Sequence, residues 1–367
     1  MRGEDPEESR PAAGRLLRLR DALPGKELDG LLVSHPPNVG YLSGFHGSAG
    51  FLVVRLDAAL LLVDSRYREQ AREEVASDIE IRLAEDGLVE GLSAALEGAD
   101  GGTRMGFEAH RTTVRAARKL EEGAAGVEWV PAEDLVEELR AVKDAGEIRR
   151  LARAAEIGTG VLGGVLERVE EGVTEVELAA ELDYRLRRAG SGPPAFESIV
   201  AAGPRSALPH ARPTRRRLRE GDLVLFDFGA TVEGYCADMT RTAVLGPAAP
   251  WQREAHEAVR AARDAAVVAV EPGREAREVD REARAVLETR GTEGAYRHST
   301  GHGIGLEVHE KPSLSSKSDE ILREGNVVTI EPGVYLRGRG GIRLEDDVVV
   351  GGEEPVLTDF RRDLPEL

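Results

Sequence analysis

A carboxylate interrupts a stretch of apolar residues that otherwise has the pattern of a buried strand. The stretch covers residues 223–230 and the carboxylate is Asp227. The chain then returns through Asp238, so a hairpin centred between Val232 and Glu233 would set Asp227 opposite Asp238. Two carboxylates at cross-strand distance repel each other, which is tolerated when a cation lies between them or when one of the pair keeps a proton. The pattern therefore predicts either a cation bound between the two acids or an acid that stays protonated.

A second hairpin with the same design follows later in the sequence. Glu331 ends a strand pattern at residues 327–330 and a returning segment carries Glu345, so a hairpin centred on Gly338 would bring the two acids together. Between the hairpins, His302 is flanked by glycines, which allow backbone and a ligand to approach an imidazole closely. The four carboxylates and His302 form a ligand set that suits Mn, Co or Zn, and their charge is enough for two ions.

Each of these residues also has an ordinary structural explanation. A single aspartate in a strand is most often a turn cap or a salt-bridge partner, so the metal-site hypothesis depends on the whole set. Asp346 and Asp347 could be ligands by composition, but only residues of one parity face the site, and we favour Glu345. His298 is expected to be structural rather than a ligand. Four further histidines have no acidic strand context and are assigned to the surface or the core: His35, His46, His110 and His256.

Composition excludes several classes of protein. The 367 residues carry 67 acidic and 49 basic side chains, and the resulting formal charge of −18 repels nucleic acid and anionic membranes. One basic run, residues 215–217 followed by Arg219, is interpreted as a solvated turn, with a phosphate or nucleic-acid contact as the alternative. The single cysteine, Cys236, excludes an intramolecular disulfide and is expected to be an inert filler rather than a nucleophile. Since neither a signal peptide nor about 18 consecutive apolar residues are present, we expect a cytoplasmic protein.

The elements that must position the candidate site fall into two groups. The first group alternates helical patterns with extended ones, which is typical of an α/β domain: helices at 11–23, 67–76 and 88–96, and strands at 28–34, 50–56, 58–64, 79–83 and 105–108. A helical pattern also begins at Pro131, and a charged segment then predicts a domain boundary near residue 143. The second group is typical of an α+β domain, with β-rich segments between helices at 147–169, 173–189, 251–270 and 278–290. We therefore predict domains at 1–142 and 143–367.

The motifs of the second domain resemble those of the pita-bread metallopeptidases, the family that includes prolidase, aminopeptidase P and methionine aminopeptidase. Six blocks occur in the family's order and at compatible spacing: residues 227–229, 235–242, 298–305, 308–310, 330–333 and 341–346. The first domain, through blocks 38–45 and 63–67, resembles the creatinase-type N-terminal domain of the proline-specific branch, which methionine aminopeptidases lack. The resemblance covers nearly the whole chain. It implies an α/β creatinase-like domain followed by an α+β pita-bread catalytic domain.

The same resemblance implies a dinuclear metal centre. It assigns one metal to Asp227, the other to His302 with Glu331, and both, as bridging ligands, to Asp238 and Glu345. A hydroxide would bridge the two ions, for which Mn is the first choice and Co or Zn the alternatives. The ions would lower the pKa of that water and polarise the scissile carbonyl, and Glu331 would shuttle the proton.

Two histidines and an arginine complete the site that the resemblance implies. His210 and His309 match family histidines that contact the substrate and stabilise the charged tetrahedral intermediate. Prolidases of similar length often carry an arginine four residues beyond the equivalent of His309, where it can hold the free carboxylate of a dipeptide, but this chain has Ser313. The departure favours cleavage before proline in longer peptides over strict dipeptidase action. Candidate substitutes for the missing arginine are Arg343, Arg337 and Arg339.

We therefore predict a peptidase that cleaves the bond between an N-terminal residue and proline, as an Xaa-Pro aminopeptidase or an Xaa-Pro dipeptidase. Its partners would be peptides with proline at the second position and, as in two-domain relatives, a second copy of the chain; nucleic acid and membranes are not expected. The main alternative is a metal-dependent hydrolase or lyase of a small non-peptide substrate, because fold and metal site alone do not fix the substrate. A metal-free amidinohydrolase such as creatinase, or a non-catalytic binding module, would be expected to have lost ligands that are all present here.

Overall fold

The computed structural model describes residues 11–96, 102–124, 126–292, 295–296 and 298–367. The chain divides into two units, Met1–Arg140 and Ala141–Leu367. The boundary predicted from the charged segment lies two residues later in the sequence, after residue 142 instead of residue 140. Among the described residues, no helix has the length and apolar character needed to cross a membrane.

The first unit is built around a mixed six-stranded sheet with spatial order β4-β3-β2-β1-β5-β6. Its strands are β1 (Gly30–Val33), β2 (Phe51–Arg55), β3 (Ala59–Val63), β4 (Glu80–Leu83), β5 (Thr103–Glu108) and β6 (Val127–Ala132). Its helices are α1 (Pro11–Ala22), α2 (Pro36–Ser43), α3 (Arg68–Glu74), α4 (Leu88–Ala95), α5 (Val114–Gly123) and α6 (Leu135–Ala141), which ends at the division between the units. The predicted α/β character of this part of the chain is confirmed.

Three elements of the first unit differ from the predictions. The helix predicted from Pro131 is wrong at its start, because Pro131 lies in β6, opposite Phe107 of β5, and the helix begins at Leu135. β6 is an edge strand, where a proline can leave its missing N–H on the open side of the sheet. The sequence patterns did not indicate α2 or α5. Most side chains of α2 are buried, so it lacks a polar face, and α5 buries the side chain of Leu120 alone among its residues.

Four long helices belong to the second unit, and all four were predicted. They are α7 (Ala145–Leu166), α8 (Glu175–Arg188), α9 (Pro250–Val268) and α10 (Ala276–Thr289). The first two begin with capping boxes, in which Asp144 accepts from the Glu147 backbone at 2.9 Å and Thr174 accepts from the Glu177 backbone at 3.3 Å. These caps satisfy backbone donors that would otherwise lack partners, so they fix where each helix starts.

Eleven short strands complete the described part of the second unit. In chain order they are β7 (Ile199–Ala202), β8 (Leu223–Phe228), β9 (Thr231–Val232), β10 (Tyr235–Cys236), β11 (Met239–Val244), β12 (Gly301–Gly303), β13 (Glu310–Leu314), β14 (Val327–Ile330), β15 (Gly333–Leu336), β16 (Gly340–Arg343) and β17 (Asp346–Val349). They form sheets of order β11-β8-β7, β13-β12-β14-β17, β10-β9 and β15-β16. One apolar cluster packs α7 and α8 against β7, β8 and β11, and another packs α9 and α10 against β14, β16 and β17.

β8 and β11 form the first predicted hairpin, but in a different register. Asp227 lies opposite Thr240, so the predicted pairing of Asp227 with Asp238 is wrong. The turn residues are Glu233 and Gly234, which have positive φ angles of 49° and 84°. Such a two-residue turn matches the right-handed twist of the strands and puts the glycine in its second position, which moves the centre one residue later than predicted. Asp238 lies two residues before Thr240, so its side chain is on the same face of the hairpin as that of Asp227.

The second hairpin has the predicted register. β14 pairs with β17, and β15 pairs with β16, and both pairs have the same register, so they form one long hairpin. Glu331 and Glu345 lie at matching positions between these two paired segments. Gly338 lies in the turn with a φ of 79°, as the centring of the hairpin requires. The predicted proximity of Glu331 and Glu345 therefore follows from the strand pairing.

Candidate metal centre

A cavity of about 640 Å³ in the second unit gathers the residues that the sequence analysis singled out. All eight predicted site residues line it: Asp227, Asp238, His302, Glu331, Glu345, His210, His309 and Arg343. These residues come from segments as distant in sequence as the loop before β8 and the connection between β16 and β17. The fold therefore brings the whole predicted set to one place.

The two hairpins meet at the cavity through Thr240 and Glu345. The Glu345 backbone N–H donates to the Thr240 carbonyl at 3.2 Å, and the Thr240 hydroxyl donates to the Glu345 carboxylate at 2.5 Å. Because Thr240 also lies opposite Asp227 in the first hairpin, it connects the acids of both hairpins. Sequence reasoning missed this residue, although its position two residues beyond Asp238 indicates that it faces the same side.

Three of the predicted ligands form a cluster suited to a metal ion. One ligand atom each of Asp238, His302 and Glu345 lie within 4.8 Å of one another. His302 Nε2 lies 3.9 Å from Asp238 Oδ2 and 3.6 Å from Glu331 Oε1. A divalent cation among these atoms would have carboxylate oxygens and one imidazole nitrogen as ligands, a combination that suits first-row transition metals.

The carboxylates are buried together, and their ionised forms are correspondingly unfavourable. Burial, reinforced by the charge of Glu345, raises the pKa of Asp238 well above its usual value. Burial and the neighbouring Glu331 do the same to the pKa of Glu345, and burial raises the pKa of Glu331 to about 7. Burial also raises the pKa of Asp227, although Arg343 opposes this shift. A cation would reverse these shifts by compensating the repelling charges.

Two buried oxygen atoms of the cluster have no hydrogen-bond partner among the described residues: Asp227 Oδ1 and Asp238 Oδ1. A buried acceptor without a partner costs about 1–3 kcal/mol, and more when it carries charge. Both atoms belong to the acids of the first hairpin, which face the cavity. The donor set, the raised pKa values and these unpartnered oxygens together fit divalent metal ions.

His302 is prepared to act as a neutral nitrogen ligand. Its Nδ1 lies 3.0 Å from the Gly303 carbonyl, which fixes the proton on Nδ1 and leaves the lone pair of Nε2 toward the acids. Burial, with a contribution from His309, lowers the pKa of His302 to about 4. The flanking glycines are required by close packing, because a Cβ on Gly301 would lie 1.8 Å from the Thr329 carbonyl oxygen.

Arg343 is the counter-charge of the cluster and is committed to protein partners. Its Nη2 pairs with Asp227 Oδ2, its Nε donates to the Thr240 hydroxyl at 2.9 Å, and its Nη1 donates to the Tyr335 hydroxyl at 2.8 Å. The side chain is 3% exposed. Arg343 therefore lines the cavity as predicted, but its contacts orient Asp227 and Tyr335.

Three further histidines line the cavity, and one of them, His298, has protein partners for both ring nitrogens. Both nitrogens of His298 have partners, since Nδ1 lies 2.8 Å from the Ser299 carbonyl and Nε2 lies 2.8 Å from the Tyr335 hydroxyl. This agrees with the structural role expected from the sequence. The His309 ring lies against the His302 ring at a centroid distance of 4.3 Å, and His210 also lines the cavity. Burial lowers the pKa of His309.

The two acids after Glu345 have distinct positions. Asp346 accepts hydrogen bonds from Arg241 at 2.6 Å and Arg263 at 2.7 Å, away from the cluster. Asp347 accepts a hydrogen bond from the backbone N–H of Asp238 at 3.0 Å, so it fixes the backbone position of a predicted ligand. The sequence held a signal for this role, because Asp347 has the same parity as Glu345.

Several secondary expectations can be compared with the described residues. Arg337 and Arg339 do not line the cavity, and the Arg339 guanidinium lies 4.5 Å from the centroid of the Trp251 ring. In the basic run, Arg215, Arg217 and Arg219 are exposed, whereas Arg216 is half-buried and forms hydrogen bonds of 2.7 and 2.9 Å with the buried Asp222. Cys236 is buried, as expected of a filler.

Comparisons with known proteins match both units of the chain. The model described as "Metallopeptidase family M24" matches residues 149–351, and the model described as "Creatinase/Prolidase N-terminal domain" matches residues 15–142. An Xaa-Pro dipeptidase of Pyrococcus horikoshii is 35% identical over 325 residues, which cover 88% of this chain and 90% of the relative.

Solved structures of similar proteins cover nearly the whole chain. An Xaa-Pro dipeptidase from Bacillus anthracis superimposes with a TM-score of 0.93 at 34% identity, covering 97% of this chain and 100% of the other. An X-Pro aminopeptidase from Thermotoga maritima MSB8 superimposes with a TM-score of 0.86 at 34% identity, covering 93% of this chain and 98% of the other. A structure named as an Xaa-Pro dipeptidase and one named as an X-Pro aminopeptidase thus share the same sequence identity, 34%, with this chain.

Proposed function

This chain belongs to metallopeptidase family M24, with a creatinase-type N-terminal domain and a pita-bread catalytic domain, and we propose that it hydrolyses the bond between an N-terminal residue and proline. The observation that carries the proposal is the gathering of five candidate metal ligands in one cavity of the catalytic domain. Relatives named as Xaa-Pro dipeptidase and X-Pro aminopeptidase support the choice of substrate.

Five residues would hold two divalent ions: Asp227, Asp238, His302, Glu331 and Glu345. When bound, such ions supply an activated water molecule and polarise a carbonyl group. Asp238 and Glu345 would contribute carboxylates from two different hairpins, which meet at Thr240. The short contact between Thr240 and Glu345 would hold the Glu345 carboxylate in one orientation.

Other side chains of the wall would handle protons and charge. Glu331 would accept a proton and return it to the departing amine, because its carboxylate reaches the cavity beside His302. His210 and His309 would donate hydrogen bonds to the scissile carbonyl oxygen as negative charge develops on it. The lowered pKa of His309 leaves this ring neutral at pH 7, and a neutral imidazole still has one N–H to donate.

The finer properties of the enzyme are also part of this proposal. Mn is the first choice of metal, with Co or Zn as alternatives, and we propose a homodimer located in the cytoplasm. The second candidate function is metal-dependent hydrolysis or lysis of a small non-peptide substrate, which the size of the cavity, about 640 Å³, also accommodates.

One experiment separates these functions. Purified protein is stripped with a chelator, reloaded with Mn, Co or Zn, and assayed on Gly-Pro, Gly-Pro-Ala, the proline-free controls Gly-Ala and Gly-Ala-Ala, and a phosphotriester. The proposal predicts metal-restored cleavage of the proline peptides with little cleavage of the proline-free ones. Cleavage of the phosphotriester alone would favour the second function, and proline-independent peptide cleavage would refute the proposed specificity.

A further inference from the structure

The cavity wall contains a second arginine that the sequence analysis did not consider. Among the lining residues that the structure describes, Arg212 and Arg343 carry a permanent positive charge. Most other charged groups of the wall are carboxylates, which attract the amino end of a peptide and repel its carboxylate end. These two guanidinium groups are therefore the protein's permanent positive charges available to an anionic group of a substrate.

Arg343 is already engaged by protein acceptors. Each of its three side-chain nitrogens donates to a protein oxygen, on Thr240, Tyr335 or Asp227, and its side chain is 3% exposed. Moving it toward a substrate would leave buried acceptors without partners. Arg343 is thus a poor substitute for the arginine missing at Ser313.

Arg212 has the opposite properties. Its side chain is 85% exposed, and within the described residues its ion pair is with Glu197, which is 68% exposed, at 3.5 Å. An ion pair between two side chains this exposed is weak, because water screens the charges. The Arg212 guanidinium can therefore exchange Glu197 for another carboxylate at little cost.

The backbone of Arg212 is nevertheless held in place. Its carbonyl accepts a hydrogen bond from Arg205 Nη2 at 2.6 Å, and Arg205 Nε lies 3.0 Å from the carboxylate of Glu175, which is buried. Arg212 also follows His210, a proposed substrate-binding residue, by two positions. The arginine thus combines an anchored backbone with an exposed guanidinium at the cavity wall.

We propose that Arg212 binds the C-terminal carboxylate of substrates in which proline is the last residue, and so makes dipeptides the preferred substrates. This inference rests on the proposed Xaa-Pro hydrolysis. A guanidinium can donate two parallel hydrogen bonds to a carboxylate, which gives both affinity and orientation. Glu197 competes for the same guanidinium when no substrate is bound.

The test compares two substrates that differ only in the carboxylate, Gly-Pro and Gly-Pro amide, with the metal-loaded enzyme. The Arg212→Gln variant is expected to lower the ratio of kcat/KM for Gly-Pro to kcat/KM for the amide by about tenfold, the size of one charged hydrogen bond. Arg212→Lys should recover part of that ratio. Glu197→Gln should raise it, because it removes the competing carboxylate.

Arg215→Gln is the matched control, because Arg215 is an exposed arginine of the same loop that does not line the cavity. This control should leave the ratio as in the wild-type enzyme. Equal losses on both substrates in Arg212→Gln, or the same change of ratio in Arg215→Gln, would overturn the role of Arg212 while leaving Xaa-Pro hydrolysis intact. Failure of the wild-type enzyme to cleave any of Gly-Pro, its amide and Gly-Pro-Ala would instead refute the proposed function, and this inference with it.

Discussion

Replacing the carboxylate by an amide should affect thermal stability differently at two adjacent acids of the second hairpin, Glu345 and Asp346. Asp346 is fully buried and is the counter-charge of Arg241 and Arg263, with hydrogen bonds of 2.6 and 2.7 Å. Glu345, one residue earlier, is 3% exposed and lies among carboxylates that repel it. Replacing each carboxylate by its amide preserves volume and removes one negative charge.

The Asp346→Asn substitution leaves the buried Arg241 guanidinium without its counter-charge, and it leaves Arg263 with the more exposed Asp264, at 3.0 Å, as its carboxylate partner. Breaking a buried ion pair in this way costs about 3–5 kcal/mol. For a unit of this size each kcal/mol lowers the Tm by about 2–4 °C, so the Tm of the variant should fall by about 6–20 °C. The Glu345→Gln substitution removes a repulsion, so the Tm of the metal-free variant should be equal to that of the wild type or higher.

Scanning calorimetry of chelator-treated protein at pH 7.5 measures both effects. The two variants should differ in Tm by at least about 6 °C, and Glu345→Gln should lose metal-dependent turnover although it folds. A Tm within 2 °C of wild type for Asp346→Asn, or an equal fall in both variants, would refute the assignment of Asp346 to the arginine pair and of Glu345 to the repelling cluster.

Three further predictions follow from other contacts. Asp238→Ala should abolish turnover and lower the bound metal measured by elemental analysis, whereas its circular dichroism spectrum stays that of the wild type; retained turnover would refute a two-metal centre. Lys143→Met should lower the free energy of unfolding by about 3–5 kcal/mol, because it removes the buried positive charge that lies 3.1 Å from the Glu310 carboxylate. Denaturant unfolding measures this loss, and the double variant Lys143→Met/Glu310→Gln should recover part of it. His256 has its pKa lowered by burial to about 4 from 6.5, so the unfolded chain binds its proton first as the pH falls below 6.5. Between pH 7.5 and pH 5 the wild type should therefore lose about 2 kcal/mol more unfolding free energy than His256→Gln, and parallel pH dependences of the two proteins would contradict the burial of a neutral imidazole.

The sequence predicted the site more accurately than the strand pairing that builds it. Asp227 and Glu331 could be identified from the local pattern, because an acid within an apolar run is costly to bury unless a partner compensates its charge. The register of the first hairpin was wrong because it depends on the turn type, and the left-handed backbone at Glu233 is unusual for a residue other than glycine, asparagine or aspartate. The second hairpin was right because its glycine-rich turn left fewer choices.

Other features could not be read from local patterns at all. β6 looked helical because a proline fits the first turn of a helix as well as it fits an edge strand, and only the sheet decides between them. Arg212 was overlooked because its place in the cavity wall depends on how the loop before β8 folds over the site. Its neighbour Glu197 belongs to a different segment, before β7, so no spacing rule connects the two.

The meeting of the two hairpins at Thr240 also has a consequence for the amount of working protein in a cell. Asp227 and Asp238 of the first hairpin lie more than 100 positions before Glu345 of the second, so the cluster exists only after both hairpins have folded. A cation that binds the folded form alone adds about 1.4 kcal/mol to its stability for each tenfold excess over its Kd. Scarcity of metal should then shorten the lifetime of the chain toward proteases as well as reduce its turnover.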